Sequence, residues 1–163
     1  MIIRPARPED AGAIIGFWNP LIRETMVTFN PVEKTAAEVA DSIRAKAAAG
    51  HGFFVAEADG TILGFASYGQ FRAGMGYARA MEHTIILAPQ ARGRGAGRAL
   101  MVAVEDHARA QGYHSMIAGV SGGNPDGRAF HAAIGYAVVA VVPQVGWKFG
   151  RYWDLVLMQK LLS

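Results

Sequence analysis

Ile85-Ile86-Leu87-Ala88-Pro89-Gln90-Ala91-Arg92-Gly93-Arg94-Gly95-Ala96-Gly97-Arg98-Ala99-Leu100 is the stretch that decides the fold. A short apolar run, rich in isoleucine, enters a turn with glycine at 93, 95 and 97 and leaves it at helical spacing. A strand therefore runs into a glycine-rich turn and out into a helix. Glycines keep side chains clear of whatever approaches the main chain and allow positive φ. Consecutive N–H groups can then point at one anion, and the helix start adds about half a positive charge. Arg92, Arg94 and Arg98 bring fixed positive charge to the same rim. The physical reading is a cradle for a diphosphate. A P-loop would need Lys-Ser or Lys-Thr after the glycines, and neither follows. A dinucleotide fingerprint would place its third glycine at position 98, which is Arg98.

Working outward, the regions on either side of the turn differ. After it come a helix from Gly95 to Gln111, a strand Met116 to Val120, a helix Asn124 to Ile134 closed by Gly135, and strands near Val138–Val142 and Trp153–Met158. Before it, Ile2 to Arg7 reads as a first strand, and Pro8-Glu9-Asp10 opens a helix that Pro20 kinks or ends. Thr35 caps a second helix, with Glu38 three residues on, and Gly50 stops it. Phe53–Ala56 and Ile62–Ala66 flank Asp59-Gly60, a strong hairpin signal. Phe71 to Arg79 is a loop, and Glu82 to Leu87 is the strand that feeds the glycine turn. The order β-α-α-β-β-β-α-β-α-β-β predicts an α/β fold, a mixed central sheet with helices on both faces.

Composition sets the bounds. The 163 residues suit one domain, 1–163. At 52% hydrophobic and 18% charged, the chain is globular in type. It has no cysteine, which excludes disulfides, cysteine-held metals and a thiol nucleophile. No histidine spacing suggests a metal site. The net charge of +3 comes without a basic tract, so no nucleic-acid partner is expected. No apolar run approaches the ~20 residues of a membrane span. The stretch Met1–Asp10 lacks the layout of a signal peptide. A cytoplasmic setting is expected.

Arg92-x-x-Gly95-x-Gly97 after an Ile-rich strand and a proline resembles motif A of the GNAT superfamily of N-acetyltransferases. That resemblance implies acetyl-CoA as co-substrate, its pyrophosphate bound by Arg92, Gly93, Arg94, Gly95, Ala96, Gly97 and Arg98. It covers nearly the whole chain. At a finer level, several pieces resemble the phosphinothricin and methionine sulfone/methionine sulfoximine N-acetyltransferase family. They are Thr25–Phe29, Ser67–Arg72, Met81–Ile85, Gly123-Asn124, His131, Gly135-Tyr136, and the long Pro143-Gln144-Val145-Gly146-x-Lys148-Phe149-Gly150-Arg151. Where the superfamily often carries an aromatic residue, commonly tyrosine, on the last helix, this chain has His131.

Acetyl transfer to an amine needs a base, a donor for the oxyanion and a proton for the departing thiolate. Glu82, between Met81 and the apolar run Ile85 to Leu87, is the base candidate, since burial can raise its pKa toward neutrality. The resemblance implies the same role, through water. Oxyanion stabilisation is expected from a backbone N–H of Ile86 or Leu87, and the resemblance implies that the strand edge at Ile85, Ile86 and Leu87 pairs with the pantetheine amides. His131 can protonate the thiolate or order water. Asn124 holds the pantetheine arm, caps the helix, or does both. For the acceptor, Arg72 can clamp a carboxylate and Phe29 and Phe71 can wall an apolar side chain beside Glu82. The aromatic segment Pro143 to Trp153 reads as a dimer surface or a lid over the acceptor site, in a homodimer, with a plain core hairpin as the alternative. The expected reaction is acetylation of a small amino acid in a ternary complex, cysteine being unavailable for an acyl-enzyme. Two alternatives stand beside it: transfer to a peptide N-terminus, lysine or polyamine, and a non-catalytic acyl-CoA-binding module.

Overall fold

The computed structural model describes all 163 residues. Its elements follow the predicted order: β1 (Ile2–Pro5), α1 (Ala11–Glu24), α2 (Ala36–Ala48), β2 (Phe53–Ala58), β3 (Thr61–Gln70), β4 (Ala80–Leu87), α3 (Ala96–Ala110), β5 (Ser115–Ser121), α4 (Pro125–Ala133), β6 (Ala137–Lys148) and β7 (Arg151–Leu161). The strands form one seven-stranded sheet in the order β1-β2-β3-β4-β5-β7-β6. Every neighbouring pair is antiparallel except β4 and β5.

Two apolar layers sandwich the sheet. On one face, Ile14, Phe17, Val39 and Ile43 of α1 and α2 pack on Val55, Phe65 and Ile86. On the other, Leu100, Met101 and Val104 of α3 pack on Leu63, Met81, Met116 and Met158. Each such side chain removed from water contributes about 1.5–3 kcal/mol before the entropy of ordering it.

Local chemistry explains most boundaries. The Thr35 side chain accepts from the Glu38 N–H at 3.1 Å and starts α2. Asp59 and Gly60 take φ of 51° and 77°, the paired positive values that a two-residue hairpin turn requires. Arg4 forks onto Asp10 at 2.9 Å and onto Glu57 at 2.7 Å, joining β1, β2 and the start of α1. That guanidinium holds the Asp10 carboxyl below the usual carboxylate range.

Two expectations are corrected. Pro20 does not end α1, which runs on to Glu24 because Ile14, Phe17 and Ile22 are anchored in the core on both sides of it. The segment Pro143 to Trp153 is not a loop or lid. The strands extend through it and meet at Phe149-Gly150, with φ of 55° and 72°. Pro143 is tolerated because β6 is an edge strand, with register shifts between Val138 and Ala140 and between Val142 and Gly146. No helix is long and apolar enough to cross a membrane.

Candidate active site

The parallel pair β4–β5 runs in register only from Ala80 with Ser115 to His83 with Ala118. Beyond that point each strand stays with its outer partner, Leu87 with Gly64 of β3 and Ser121 with Leu155 of β7. The sheet therefore splits, and the split opens into a cavity of about 1100 Å³ lined from both faces.

One edge of the split is unpaired main chain. The Ala80 carbonyl and the Ala88 N–H both bond to the β3 side. Strand alternation sends Thr84 and Ile86 the same way and turns Ile85 and Leu87 toward the gap. Ile86 is thus corrected as an oxyanion donor: its N–H belongs to the β3 ladder. Leu87 and Ile85 face the opening.

The glycine turn follows this edge. Gly93 and Gly95 take φ of 71° and 77°, and Gly95 stands at the start of α3 with no side chain capping it. The first helical amide to find an acceptor is that of Ala99, on the Gly95 carbonyl. The N–H groups of Gly93, Gly95, Ala96, Gly97 and Arg98 have no protein acceptor, which is the condition for gripping an anion. Gly97 is small for a different reason. A β-carbon there would stand 3.0–3.2 Å from Phe130 and Leu87, so α3 lies tight against β4 and α4. Arg92 lines the cavity, 3.9 Å from Asp126. Arg94 and Arg98 are exposed on the turn.

Glu82 sits where the strands part. It lines the cavity, has no hydrogen-bond or ion-pair partner, and burial pushes its carboxyl above the ordinary carboxylate range. Gly119 lies across from it and leaves that space open.

Next along the strand and pointing to the other face is His83, 7% exposed. Its Nε2 lies 2.9 Å from Nε2 of His131, while Nδ1 of His131 lies 2.7 Å from the Gly127 carbonyl. A carbonyl only accepts, so His131 carries its proton on Nδ1. Its bare Nε2 then accepts from His83, which carries its proton on Nε2. The remaining His83 nitrogen, Nδ1, is buried without a partner, as a bare nitrogen in this arrangement would be. Burial favours the neutral form of both rings, lowering the pKa of His131 and taking that of His83 down to about 3. A strand histidine facing away from Glu82, as the alternation of β4 predicts, carries no sign in the sequence of a partner 48 residues on.

Asn124 caps α4: its Oδ1 accepts from the Gly127 N–H at 3.0 Å, and it also lines the cavity. The far wall is Val27, Thr28, Phe29 and Asn30, with Trp18 and Lys34 behind. Phe29 is thus in the site. Phe71 and Arg72 do not line the cavity. They follow β3 into an exposed loop, with the Arg72 guanidinium 5.7 Å from the Tyr77 ring centre. Nothing in the sequence marks Trp18, Thr28 and Lys34 as cavity residues, since only tertiary packing brings α1 and the segment after it to the gap. No group of three or more His, Asp and Glu side chains stands together as a metal site.

The acetyltransferase (GNAT) family model matches residues 18–136. The chain belongs to the GNAT family. It is an acyltransferase by that membership and by its relatives. The L-amino acid N-acyltransferase MnaT of Escherichia coli is 36% identical over 100% of this chain and 95% of its own length. An L-methionine sulfoximine/L-methionine sulfone acetyltransferase of Pseudomonas paraeruginosa is 35% identical, over 96% of this chain and 92% of its own. A GNAT superfamily phosphinothricin acetyltransferase from Sinorhizobium meliloti, solved in complex with acetyl-CoA, superposes with a TM-score of 0.93. It is 29% identical and covers 99% of this chain and 88% of its own. The resemblances read from the glycine turn and the Pro143–Arg151 segment thus agree with the relatives. A GNAT fold carries this sheet, and acetyl-CoA is bound in the Sinorhizobium meliloti relative.

Proposed function

We propose that this GNAT protein transfers the acetyl group of acetyl-CoA to the α-amine of a small amino acid of the methionine sulfone, methionine sulfoximine or phosphinothricin kind. The observation that carries this reading is the unpartnered Glu82 carboxylate at the mouth of the split, between the free edge at Ile85 and Leu87 and the wall containing Phe29.

The turn from Arg92 to Arg98 takes the coenzyme pyrophosphate on its free amides, and Asn124 steadies the pantetheine arm. Glu82 removes a proton from the ammonium, directly or through one water. The amine lone pair attacks the thioester carbon, and the oxyanion accepts from the Leu87 N–H. The C–S bond then breaks, the nitrogen, cationic after the attack, gives up its second surplus proton, and the thiolate takes one. Donating that proton would need an Nε2–H on His131, and that position is filled by the proton of His83. The thiolate is therefore protonated through water, and His131 shapes the thiol end of the cavity. A second copy of the chain docks on the β6–β7 hairpin, where Trp147, Phe149 and Tyr152 are more than half exposed.

A thiol-release assay across amino acids, peptides and polyamines tests the reading. Turnover with a methionine sulfone or phosphinothricin type of amine is expected. Turnover confined to peptides or polyamines, or coenzyme binding with no turnover, overturns it.

A further inference from the structure

Lys148 is 3% exposed, and no carboxylate lies within ion-pairing distance of it. A buried ammonium without a counter-charge is costly unless its protons are all well received. Here Nζ donates to the Thr25 carbonyl at 2.7 Å and to the Thr28 carbonyl at 2.8 Å. Both acceptors belong to the loop that follows α1, more than a hundred residues away in sequence.

That loop has little else to hold it. Thr25 bonds back to Leu21, Val27 to Thr25, Asn30 to Thr28 and Val32 to Asn30, all within one short stretch. The two bonds from Lys148 are the only hydrogen bonds reaching residues 25–30 from outside 21–32. The neighbouring hairpin position fits the same loop. A β-carbon on Gly146 would stand 2.7 Å from the Phe29 ring, so that ring lies flat on bare main chain. The hairpin itself is braced, because Trp153 Nε1 donates to the Lys148 carbonyl at 2.8 Å.

We infer that Lys148 is a positioning residue for the acceptor: it holds the Val27–Asn30 wall against β6, and so sets the width of the acceptor half of the cavity. Lys148 does not itself line the cavity. Resting on the amino-acid acetyltransferase reading, the inference assigns substrate selection to a contact between the hairpin and the loop.

The test is Lys148→Met, which keeps the apolar stem and removes the donors, with Lys148→Arg as the variant that keeps two donors. Hydrogen exchange of residues 25–30 is followed beside steady-state kinetics. For Lys148→Met, exchange should quicken in that segment alone. The acceptor KM should rise about tenfold or more, with the acetyl-CoA KM within about twofold. Discrimination between short and bulky amino acids should narrow, and Lys148→Arg should restore part of it. Faster exchange along the whole chain, or a loosened loop with an unchanged acceptor KM, overturns the inference. If wild-type protein acetylates no amino acid, the substrate reading fails separately, and exchange at 25–30 still decides whether Lys148 holds the loop.

Discussion

Oε2 of Glu82 lies 2.9 Å from the point where a β-carbon on Gly119 would stand. The base and the glycine are thus one device, a carboxylate on one strand occupying room that the neighbouring strand leaves empty. Gly119→Ala should displace the carboxylate, which is the free end of a flexible chain, and leave the sheet intact. Stability should change by about 1 kcal/mol or less. The kcat should fall about tenfold, because a misplaced base loses the benefit of positioning. Thermal melts beside steady-state kinetics check both.

Glu82→Gln should lower kcat about 100-fold at neutral pH and flatten the acid limb of its pH profile. A stability effect of opposite sign accompanies it. The folded state raises the Glu82 pKa, so the folded state binds the proton more tightly, and wild-type stability falls as pH rises from the unfolded toward the folded pKa. The glutamine variant should therefore melt higher than wild type at pH 7, and the two should converge in acid. Melts across pH 4–8 show it.

The histidine pair gives a pH dependence of the other sign. Both rings are held neutral, His83 with its pKa down at about 3. The unfolded chain therefore binds more protons below the ordinary histidine pKa, and stability present above about 6.5 is lost as pH falls toward 3. His83→Phe should flatten that loss. Nitrogen chemical shifts in the wild type should show His131 protonated at Nδ1 and His83 at Nε2.

At the glycine turn, Gly95→Val forces a β-branched side chain to a φ of 77°. Acetyl-CoA affinity should drop about tenfold with the acceptor KM little changed. Arg98→Ala should weaken acetyl-CoA less, and its effect should shrink as salt is added, because that side chain is exposed. Calorimetric titration at two ionic strengths separates main-chain grip from side-chain attraction.

The hairpin surface is checked by Trp147→Glu. Trp147 packs edge-on to Tyr152 at 4.7 Å between ring centres, with both rings open to solvent. Light scattering should report a dimer for wild type and a monomer for the variant.

Element order was legible because each boundary carries local chemistry: Thr35 at a cap, Asp59-Gly60 at a hairpin, glycine after a helix. Phe29, Glu82, Ile85, Leu87, Arg92, Asn124 and His131, all singled out in the sequence, line the cavity, while Phe71 and Arg72 do not. Glu82, Leu87 and the turn from Arg92 to Arg98 lie close together in sequence, so their reading needed no tertiary knowledge. Ile86 was misjudged because the direction of a strand N–H depends on which neighbour it pairs with. His83 with His131, and Lys148 with Thr25, join residues far apart in the chain, and no periodicity marks them. Pro20 looked like a break because local propensity cannot register Ile14 and Ile22 pinned on either side of it.

The split between β4 and β5 passes through the full thickness of the sheet. Helix α1 and its loop stand at one doorway, and α4 with the glycine turn at the other. On the proposed reading, two guests entering from opposite sides would not block each other, and initial rates should show random order of addition.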